Sequence, residues 1–339
     1  MTMASGRIPA PPDPAALAAG IAAGGRRDLA RAITLVESRR TDHRAAADQL
    51  LSLLMPRTGN SVRIGISGAP GVGKSTFIEA FGLFLIGRGH RPAVLAVDPS
   101  SPVTGGSILG DKTRMAALSR DERAFIRPSP AAGTLGGVAR RTREAGLICE
   151  AAGFDIVIVE TVGVGQSEVA VADMVDLLLL LLPPGGGDEL QGIKKGIVEI
   201  ADIVVVNKAD GDLAAAAGRA AAEYRAAIGL LRPAHAGWTP PVLQVSALNG
   251  IGLDAVWEAV GAFRAALGAP RLAERRARQA VAWMWREIEG GLRAELGADP
   301  GVAAMLPGLE AGVAAGKVSP MAAAAQILAA FRHRRPGEA

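Results

Sequence analysis

Cysteine, histidine and aromatic side chains are all scarce in this 339-residue chain, which has one cysteine, four histidines and 4% aromatic residues. Cys149 has no second cysteine with which to form a disulfide, and together with the absence of a signal peptide this predicts a reducing, cytoplasmic location. We expect its thiol to be a small buried group. The four histidines share no spacing, so the sequence indicates no His/Cys metal site.

Long apolar runs and a concentrated charge of one sign are missing as well. The longest apolar run, Leu177–Leu182, is far shorter than the roughly 20 residues that cross a membrane. Lys and Arg number 37 against 33 Asp and Glu, and the net surplus of +4 is spread over the whole chain. The basic cluster at residues 140–143 has no aromatic neighbours for base stacking, which favours a solvated or partner-contact helix face over nucleic-acid binding.

The sequence does contain a regular alternation of short β-branched runs and longer helical stretches between residues 59 and 268. Several runs are continuously apolar, which indicates strands buried on both faces, and the helix-length spacers indicate crossover connections. We therefore predict an α/β fold with a mostly parallel sheet of about seven strands covered by helices. The predicted strands are residues 62–67, 93–97, 124–127, 154–160, 176–182, 202–208 and 241–246.

Helical segments are predicted on both sides of this sheet region. Residues 1–58 begin with a proline-rich stretch, for which we predict disorder, and continue with apolar spacings that predict two helices. Residues 269–339 show no strand pattern and are predicted to be helical. Trp283, Met284 and Trp285 lie together in this last segment, and both core packing and an oligomer interface are compatible with them.

A glycine-rich loop follows the first predicted strand and opens a predicted helix. It is a full match to the phosphate-binding pattern GxxxxGK[ST]. Its backbone N–H groups are expected to wrap the β-phosphate, while Lys74 reaches the β- and γ-phosphates and the Ser75 hydroxyl ligates Mg²⁺. The loop comprises Gly68, Ala69, Pro70, Gly71, Val72, Gly73, Lys74, Ser75 and Thr76.

Acidic residues at the ends of later strands complete a predicted triphosphate site. Asp98 ends the second strand and Glu160 the fourth, at the edge of the sheet where open α/β folds bind ligands. Asp111 is a third acid in the glycine-rich segment between them, and Gly163 can present its N–H to the γ-phosphate. Because Mg²⁺ prefers one or two carboxylates, some of these acids must act through water.

The base is predicted from an Asn-Lys-Ala-Asp segment after the sixth strand. Asp210 can accept two hydrogen bonds from N1–H and the exocyclic amine of guanine, whereas adenine offers no such pair of donors. An unpaired buried carboxylate is costly, so GTP is expected to be preferred over ATP. The residues assigned to the base are Asn207, Lys208 and Asp210, supported from the other side by Ser246, Ala247 and Leu248.

These segments, in this order, resemble the methylmalonyl-CoA mutase-associated GTPases, the MeaB/ArgK family of P-loop GTPases. The resemblance extends from about residue 25 to about residue 335, and it is most specific in VDPSS and ETVGVGQSE. Ras-like proteins have aspartate where Glu160 stands. The resemblance implies a helical extension at residues 1–58, a G domain at 59–268 and a C-terminal helical arm at 269–339 that forms a homodimer.

The resemblance also implies a function and its cofactors, GTP/GDP and Mg²⁺. Members are chaperones of an adenosylcobalamin-dependent acyl-CoA mutase, whose cofactor delivery they gate and which they protect or reactivate. Lys74, Asp98 and Glu160 are then expected to serve hydrolysis, with Lys194 brought in by an additional switch segment once a partner binds. Gln166 lies three residues beyond Gly163, so we do not assign it the water-orienting role of the Ras glutamine, and slow intrinsic turnover is expected.

Three alternatives remain from the sequence. A nickel-centre maturation GTPase would need His/Cys clusters, which dispersed histidines and one cysteine do not supply. An ATP-using transport-system kinase conflicts with the guanine-selective segment. The partner could also be another cobalamin-dependent acyl-CoA mutase, because no motif identifies it.

Overall fold

The sheet of this protein is fully parallel. The computed structural model describes residues 10–38, 40–97, 115–128, 135–161, 167–185 and 195–332, and within them seven strands form one sheet. The strands are β1 Val62–Gly68, β2 Pro92–Val97, β3 Phe125–Arg127, β4 Ile156–Thr161, β5 Leu177–Leu182, β6 Ile203–Val206 and β7 Val242–Gln244. The predicted α/β fold with a helix-covered sheet of seven strands is confirmed.

The strand order places β1 at the centre of the sheet. In space the strands run β3-β2-β4-β1-β5-β6-β7, and Ile64 of β1 is paired with Ile158 on one side and Leu177 on the other. The chain first builds the side containing β2, β3 and β4, and then builds the side containing β5, β6 and β7. In α/β proteins, ligands bind at the carboxyl ends of the strands where the strand order reverses in this way.

Twelve helices are described in these parts of the chain, together with 3₁₀ turns at Met55–Arg57 and Gly211–Leu213. The helices are α1 Pro14–Ala22, α2 Arg26–Glu37, α3 Thr41–Leu54, α4 Lys74–Gly87, α5 Ala116–Arg120, α6 Leu135–Ala151, α7 Ser167–Ala172, α8 Lys195–Ile200, α9 Ala214–Gly229, α10 Leu253–Ala298, α11 Pro300–Ala314 and α12 Pro320–Arg332. α10 is interrupted at Gly268, whose φ is 73°.

The region before β1 contains three helices where two were predicted. The additional helix, α1, begins inside the proline-rich stretch, because Asp13 caps the helix by accepting from the Ala15 N–H and Pro14 occupies its first turn. Proline is favourable at that position, since the N–H it lacks would have no partner within the helix. Of the start that was predicted to be disordered, residues 1–9 lie outside the described residues, while α1 begins at the end of the proline-rich stretch.

Apolar side chains cover both faces of the sheet, as the continuously apolar strands predicted. On one face Ile64 and Ile158 pack with Phe77 and Phe81 of α4 and with Phe263 of α10. On the other face the buried side chains of β2 and β4 pack with α1, α2, α3 and α6. Burial on both faces is the usual state of a parallel sheet, because its crossover helices cover both sides.

The helices before β1 are fixed to the edge strand β3 by ion pairs and hydrogen bonds. Arg26 of α2 donates to the backbone carbonyls of Glu122 and Ala124, the latter at 2.9 Å, just before β3. Arg127 at the end of β3 forms an ion pair with Glu37. These helices therefore belong to the same compact unit as the sheet, which comprises Met1–Ala273.

Three aspartates lie just before strands at the amino edge of the sheet. Asp155 accepts the Arg91 N–H at 2.7 Å, Asp176 accepts the Arg63 N–H at 2.9 Å, and Asp202 accepts the Leu178 N–H at 2.8 Å. Each acceptor completes the hydrogen bonding of a neighbouring strand where that strand begins. This edge is opposite the predicted ligand site.

The second compact unit comprises Glu274–Ala339, and all of the secondary structure in its described part is helical. Trp285 is 56% exposed, and Val281, Met284, Ile288 and Leu292 are exposed as well. This exposure excludes packing in the core of this unit as the explanation for Trp285. No helix among the described residues has the length and apolar content to span a membrane.

Candidate active site

The candidate site lies where the central strands end. β1 ends at Gly68, beside Leu181 of β5, and β4 ends one residue after Glu160, which is in register with Ile66. β6 ends at Val206, immediately before the Asn-Lys-Ala-Asp segment. Parallel pairing therefore brings the predicted phosphate loop, one predicted acid and the predicted base segment to one edge of the sheet.

The phosphate loop leaves β1 and enters α4 at Lys74. Gly73, the residue before the helix, has a φ of 94°, and a Cβ there would lie 2.8 Å from Nδ2 of Asn207, so only glycine fits. Gly73 has no side chain, so it cannot cap the first N–H groups of α4. A helix N-terminus that follows a glycine-rich loop and has uncapped N–H groups is a typical phosphate-binding site. In the rest of the loop Val72 is buried, while Ala69, Pro70, Gly71 and Thr76 are exposed.

Lys74 is held across the loop that precedes it. Its Nζ donates to the carbonyl of Gly68 at 2.7 Å and to that of Ala69 at 3.1 Å. Burial lowers the pKa of Lys74 below its usual value, while the carboxylates of Glu160 and Glu168 act in the opposite direction. The ammonium therefore lies over the phosphate loop and near two carboxylates.

Oxygen atoms of the kind that hold Mg²⁺ meet beside the start of α4. The Ser75 hydroxyl is 3.4 Å from Oε1 of Glu160, a long contact for a hydroxyl and a carboxylate. On the strands below, Thr161 Oγ1 donates to Ser67 Oγ at 2.9 Å, and both side chains are buried. A hydroxyl and a carboxylate on rigid elements fit a hard divalent cation, which prefers oxygen ligands.

Asn207 joins the base segment to the phosphate loop. Its Nδ2 donates to the Val72 carbonyl at 3.0 Å, and its Oδ1 accepts the Ala247 N–H at 3.3 Å. Lys208 adds a second connection, because its Nζ donates to the Gly71 carbonyl at 2.8 Å. Lys208 is also the one non-glycine residue in the described parts of the chain with a positive φ, 59°. Both side chains thus support the loop from the base side of the site.

Asp210 and Ser246 meet at the position predicted for guanine recognition. Ser246 Oγ donates to Oδ2 of Asp210, and the same Oγ accepts the Asn249 N–H at 3.2 Å. Ser246 is itself fixed by a backbone bridge to Ile251. Ala247 is buried, whereas Leu248 is 80% exposed. The arrangement orients the Asp210 carboxylate and leaves an apolar side chain exposed nearby.

The comparisons with known proteins agree with this geometry. The sequence family described as "Methylmalonyl Co-A mutase-associated GTPase MeaB" matches residues 29–300 of the chain. The protein belongs to this family. It is a GTPase, which hydrolyses GTP to GDP and phosphate, and the predicted family and reaction are confirmed.

Relatives and a solved structure extend the match over most of the chain. The mouse protein named methylmalonic aciduria type A homolog, mitochondrial, is 50% identical over 326 residues, which cover 93% of this chain and 79% of the mouse protein. Escherichia coli GTPase ArgK is 55% identical over 267 residues, which cover 78% of this chain and 81% of ArgK. A crystal structure described as a LAO/AO transport system kinase is 41% identical, with a TM-score of 0.75 over 94% of this chain and 97% of that chain.

Four predicted site residues lie outside the described residues. They are Asp98, Asp111, Gly163 and Lys194. The other predicted residues of this family member's site, including Glu160, lie at the carboxyl edge of the sheet or in the loops that follow it. Their roles toward nucleotide and Mg²⁺ remain predictions.

Two residues near the phosphate loop were not predicted from the sequence. Glu168 is buried at the start of α7 and influences the pKa of Lys74, and Ser67 is the buried partner of Thr161. Glu168 lies within the ETVGVGQSE segment, so its position in that motif was an available signal. Ser67 is a polar residue near the end of β1, a strand whose other residues are apolar or glycine except for Arg63 at its start, and a polar side chain there was an available signal.

Proposed function

We propose that this GTPase is a chaperone of adenosylcobalamin-dependent methylmalonyl-CoA mutase. It gates delivery of the intact cofactor to the mutase, and it protects or reactivates the mutase after cofactor loss. One observation carries the proposal. Asn207 and Lys208, in the segment predicted to bind guanine, both donate to carbonyls of the phosphate loop, and the family of the chain is described as mutase-associated. A cytoplasmic location is part of the proposal and is supported by a single, buried cysteine.

The proposed chemistry is positioning and charge neutralisation. Phosphoryl transfer requires little covalent work from the protein, so Lys74 and the first N–H groups of α4 hold the phosphates in place. Ser75 and Glu160 are proposed to hold Mg²⁺, with Asp98 or Asp111 acting directly or through water. When bound, Mg²⁺ neutralises negative charge on the phosphate oxygens. Gly163 is proposed to contact the γ-phosphate through its N–H.

A partner-dependent cation completes the proposed mechanism. Three consecutive glycines end seven residues before Lys194, which immediately precedes α8, so a mutase that binds this segment can direct the lysine toward the phosphates. An added cation stabilises the negative charge of the transition state, which is the role of an arginine finger in other GTPases. Slow hydrolysis by the protein alone and faster hydrolysis with the mutase follow from this arrangement.

We also propose a homodimer formed through the second unit. The exposed apolar side chains Val281, Met284, Trp285, Ile288 and Leu292 recur at helical spacing, so they lie along one side of α10. Trp and Met are enriched at protein interfaces, and such a stripe is costly to leave in water. A second copy of the same chain presents the same stripe, as a two-fold dimer requires.

The dimer is tested by Trp285→Glu. A buried unpaired carboxylate opposes association, so sedimentation velocity should show a monomer where the parent protein is a dimer. Met321→Glu, at an 85% exposed position on α12, is the matched control and should leave the parent state unchanged. A Trp285→Glu variant that still sediments as a dimer would contradict the proposed interface.

The chaperone function is tested with purified mutase. In the presence of a non-hydrolysable GTP analogue, the tagged protein should capture the mutase, and the mutase should raise the GTP hydrolysis rate. Lys194→Ala should abolish this stimulation, whereas Lys195→Ala should retain it. Failure to capture the mutase in any nucleotide state contradicts the proposal, and capture of a different cobalamin-dependent acyl-CoA mutase instead would reassign the partner.

A further inference from the structure

Glycine at position 65 lets helix α7 lie directly against the central strand β1. A Cβ at Gly65 would lie 2.9 Å from Cγ1 of Val171 and 3.1 Å from Cγ2 of Val175, closer than side chains normally approach. α7 follows the end of β4 and leads to the start of β5, so it runs from the carboxyl edge of the sheet toward the amino edge. The helix is therefore fixed on β1 with its first turn nearest the phosphate loop.

The same packing places Glu168 beside the end of β1. Glu168 is three residues before Val171, so it lies on the same side of α7 and about 4.5 Å nearer the carboxyl edge. Ser67 is two residues after Gly65 on the same face of β1, about 6.6 Å nearer that edge. Glu168 is 4% exposed, whereas its neighbour Val169 is 58% exposed, so the side of α7 that bears the carboxylate faces the sheet.

Polar groups occupy the end of β1 at this level. Thr161 Oγ1 donates to Ser67 Oγ at 2.9 Å, and the register of β4 with β1 places both hydroxyls on the face that α7 covers. One residue beyond Ser67, the Gly68 carbonyl accepts from Nζ of Lys74 at 2.7 Å. A buried carboxylate on α7 and the half-buried ammonium of Lys74 therefore lie at the same end of β1.

The charges of Glu168 and Lys74 act on each other. Burial lowers the pKa of Lys74, and the carboxylates of Glu160 and Glu168 raise it. Glu160 faces the Ser75 hydroxyl, on the face of the sheet that α4 covers, whereas Glu168 lies on the other face. Because an isolated buried charge is costly, the carboxylate of Glu168 and the ammonium of Lys74 are more stable as a pair.

We infer that Glu168 is a positioning residue for Lys74, and that its carboxylate is the counter-ion of this lysine when no phosphate occupies the loop. The ammonium is then held over the carbonyls of Gly68 and Ala69, where the phosphates of a nucleotide replace Glu168 as its partner. Phosphate and Glu168 carry charge of the same sign, so they compete for Lys74. The inference rests on the phosphate contact proposed above for Lys74.

Glu168→Gln tests this role in two measurements that a loss of structure would move in the same direction. Glutamine keeps the shape of the side chain but not its charge, so Lys74 loses its counter-ion, and the urea midpoint of the nucleotide-free protein should fall. GDP affinity, measured in EDTA with a fluorescent analogue, should rise about tenfold, because the phosphates no longer meet a competing carboxylate. Glu258→Gln, at an exposed position on α10, is the control and should change neither quantity. Weaker or unchanged GDP binding by Glu168→Gln overturns the inference.

The second test repeats the substitution without the lysine. In a Lys74→Met background the buried Glu168 carboxylate has lost this counter-ion, so Glu168→Gln should now raise the urea midpoint. The sign of the change therefore reports the pairing of the two side chains. An equal loss of stability in both backgrounds would show that Glu168 acts independently of Lys74, and would also overturn the inference.

Lys74→Met alone separates this inference from the proposal on which it rests. If Lys74 contacts phosphate, this variant should bind GDP more weakly than the parent in EDTA. Parent-like GDP binding refutes the phosphate contact, whereas a reversed stability effect still shows the pairing of Glu168 with Lys74. Weaker GDP binding without that reversal refutes only the counter-ion role.

Discussion

Carboxylates lie at both edges of the central sheet, but their partners differ. At the amino edge Asp155, Asp176 and Asp202 each accept a backbone N–H of a neighbouring strand at 2.7 to 2.9 Å. At the carboxyl edge Glu160 faces the Ser75 hydroxyl, and Asp210 accepts from the Ser246 hydroxyl. Backbone partners cannot move without disturbing the sheet, whereas a hydroxyl can rotate when a ligand arrives.

The two edges also differ in what fixes their backbone. At the amino edge the aspartates bind the strand starts directly, and His90 and His235 lie within 3.0 Å of Asp155 and Asp202. At the carboxyl edge the phosphate loop lies beyond the strands, so side chains from the base segment, Asn207 and Lys208, hold its carbonyls in place. The acids at the strand starts thus serve the sheet itself, whereas those at the strand ends are the ones we propose for ligand binding.

The largest expected effect is that of Lys74→Ala at the carboxyl edge. Removing the cation that neutralises phosphate charge should lower kcat/KM for GTP about a thousandfold, while the sheet stays folded. Lys317→Ala, at an exposed position in the second unit, is the control. Steady-state hydrolysis and circular dichroism check both parts. Near-parent hydrolysis by Lys74→Ala would remove this lysine from the mechanism.

The next effect is a change of base preference in Asp210→Asn. Asparagine cannot accept both donors of guanine, so GTP affinity should fall about a hundredfold. Xanthine carries a carbonyl in place of the exocyclic amine, and the asparagine amide can donate to it, so affinity for xanthosine triphosphate should rise. Competition with labelled nucleotide measures both, and Asp212→Asn, two residues along in an exposed turn, is the control. Unchanged selectivity would exclude Asp210 from base recognition.

Periodicity and motif spacing were sufficient for the sheet and for the edge at which the described motifs meet. Runs such as Leu177–Leu182 and Ile203–Val206 are short and apolar, which predicts buried strands. Polar motifs follow these runs, so the sequence also predicts that the motifs lie at the carboxyl edge of the sheet. Helix α1 was not predicted, because a proline-rich stretch can start a helix as well as prevent one.

Atom-level roles within the site were not predictable in the same way. Asn207 and Lys208 were assigned to the nucleotide from their motif, and the structure shows in addition that both contact the phosphate loop. The Ala117 N–H at the start of α5 donates to the Glu79 carboxylate of α4, 38 positions away, with no local pattern to indicate it. Contacts of this kind depend on which loops the fold brings together, which spacing along one chain does not encode.

The smallest expected effect on activity, and a clear effect on stability, is that of Asp202→Ala at the amino edge. The variant removes the acceptor of the buried Leu178 N–H, and the loss should lower the free energy of unfolding by about 2 kcal/mol. Urea denaturation measures this change, with Asp212→Ala as the exposed control. Because Asp202 lies before β6 and the phosphate loop lies beyond the opposite ends of the strands, kcat and KM for GTP should match the parent. A variant with parent stability and altered kcat would show that the amino edge also serves the active site, and the separation between the two edges would then be wrong.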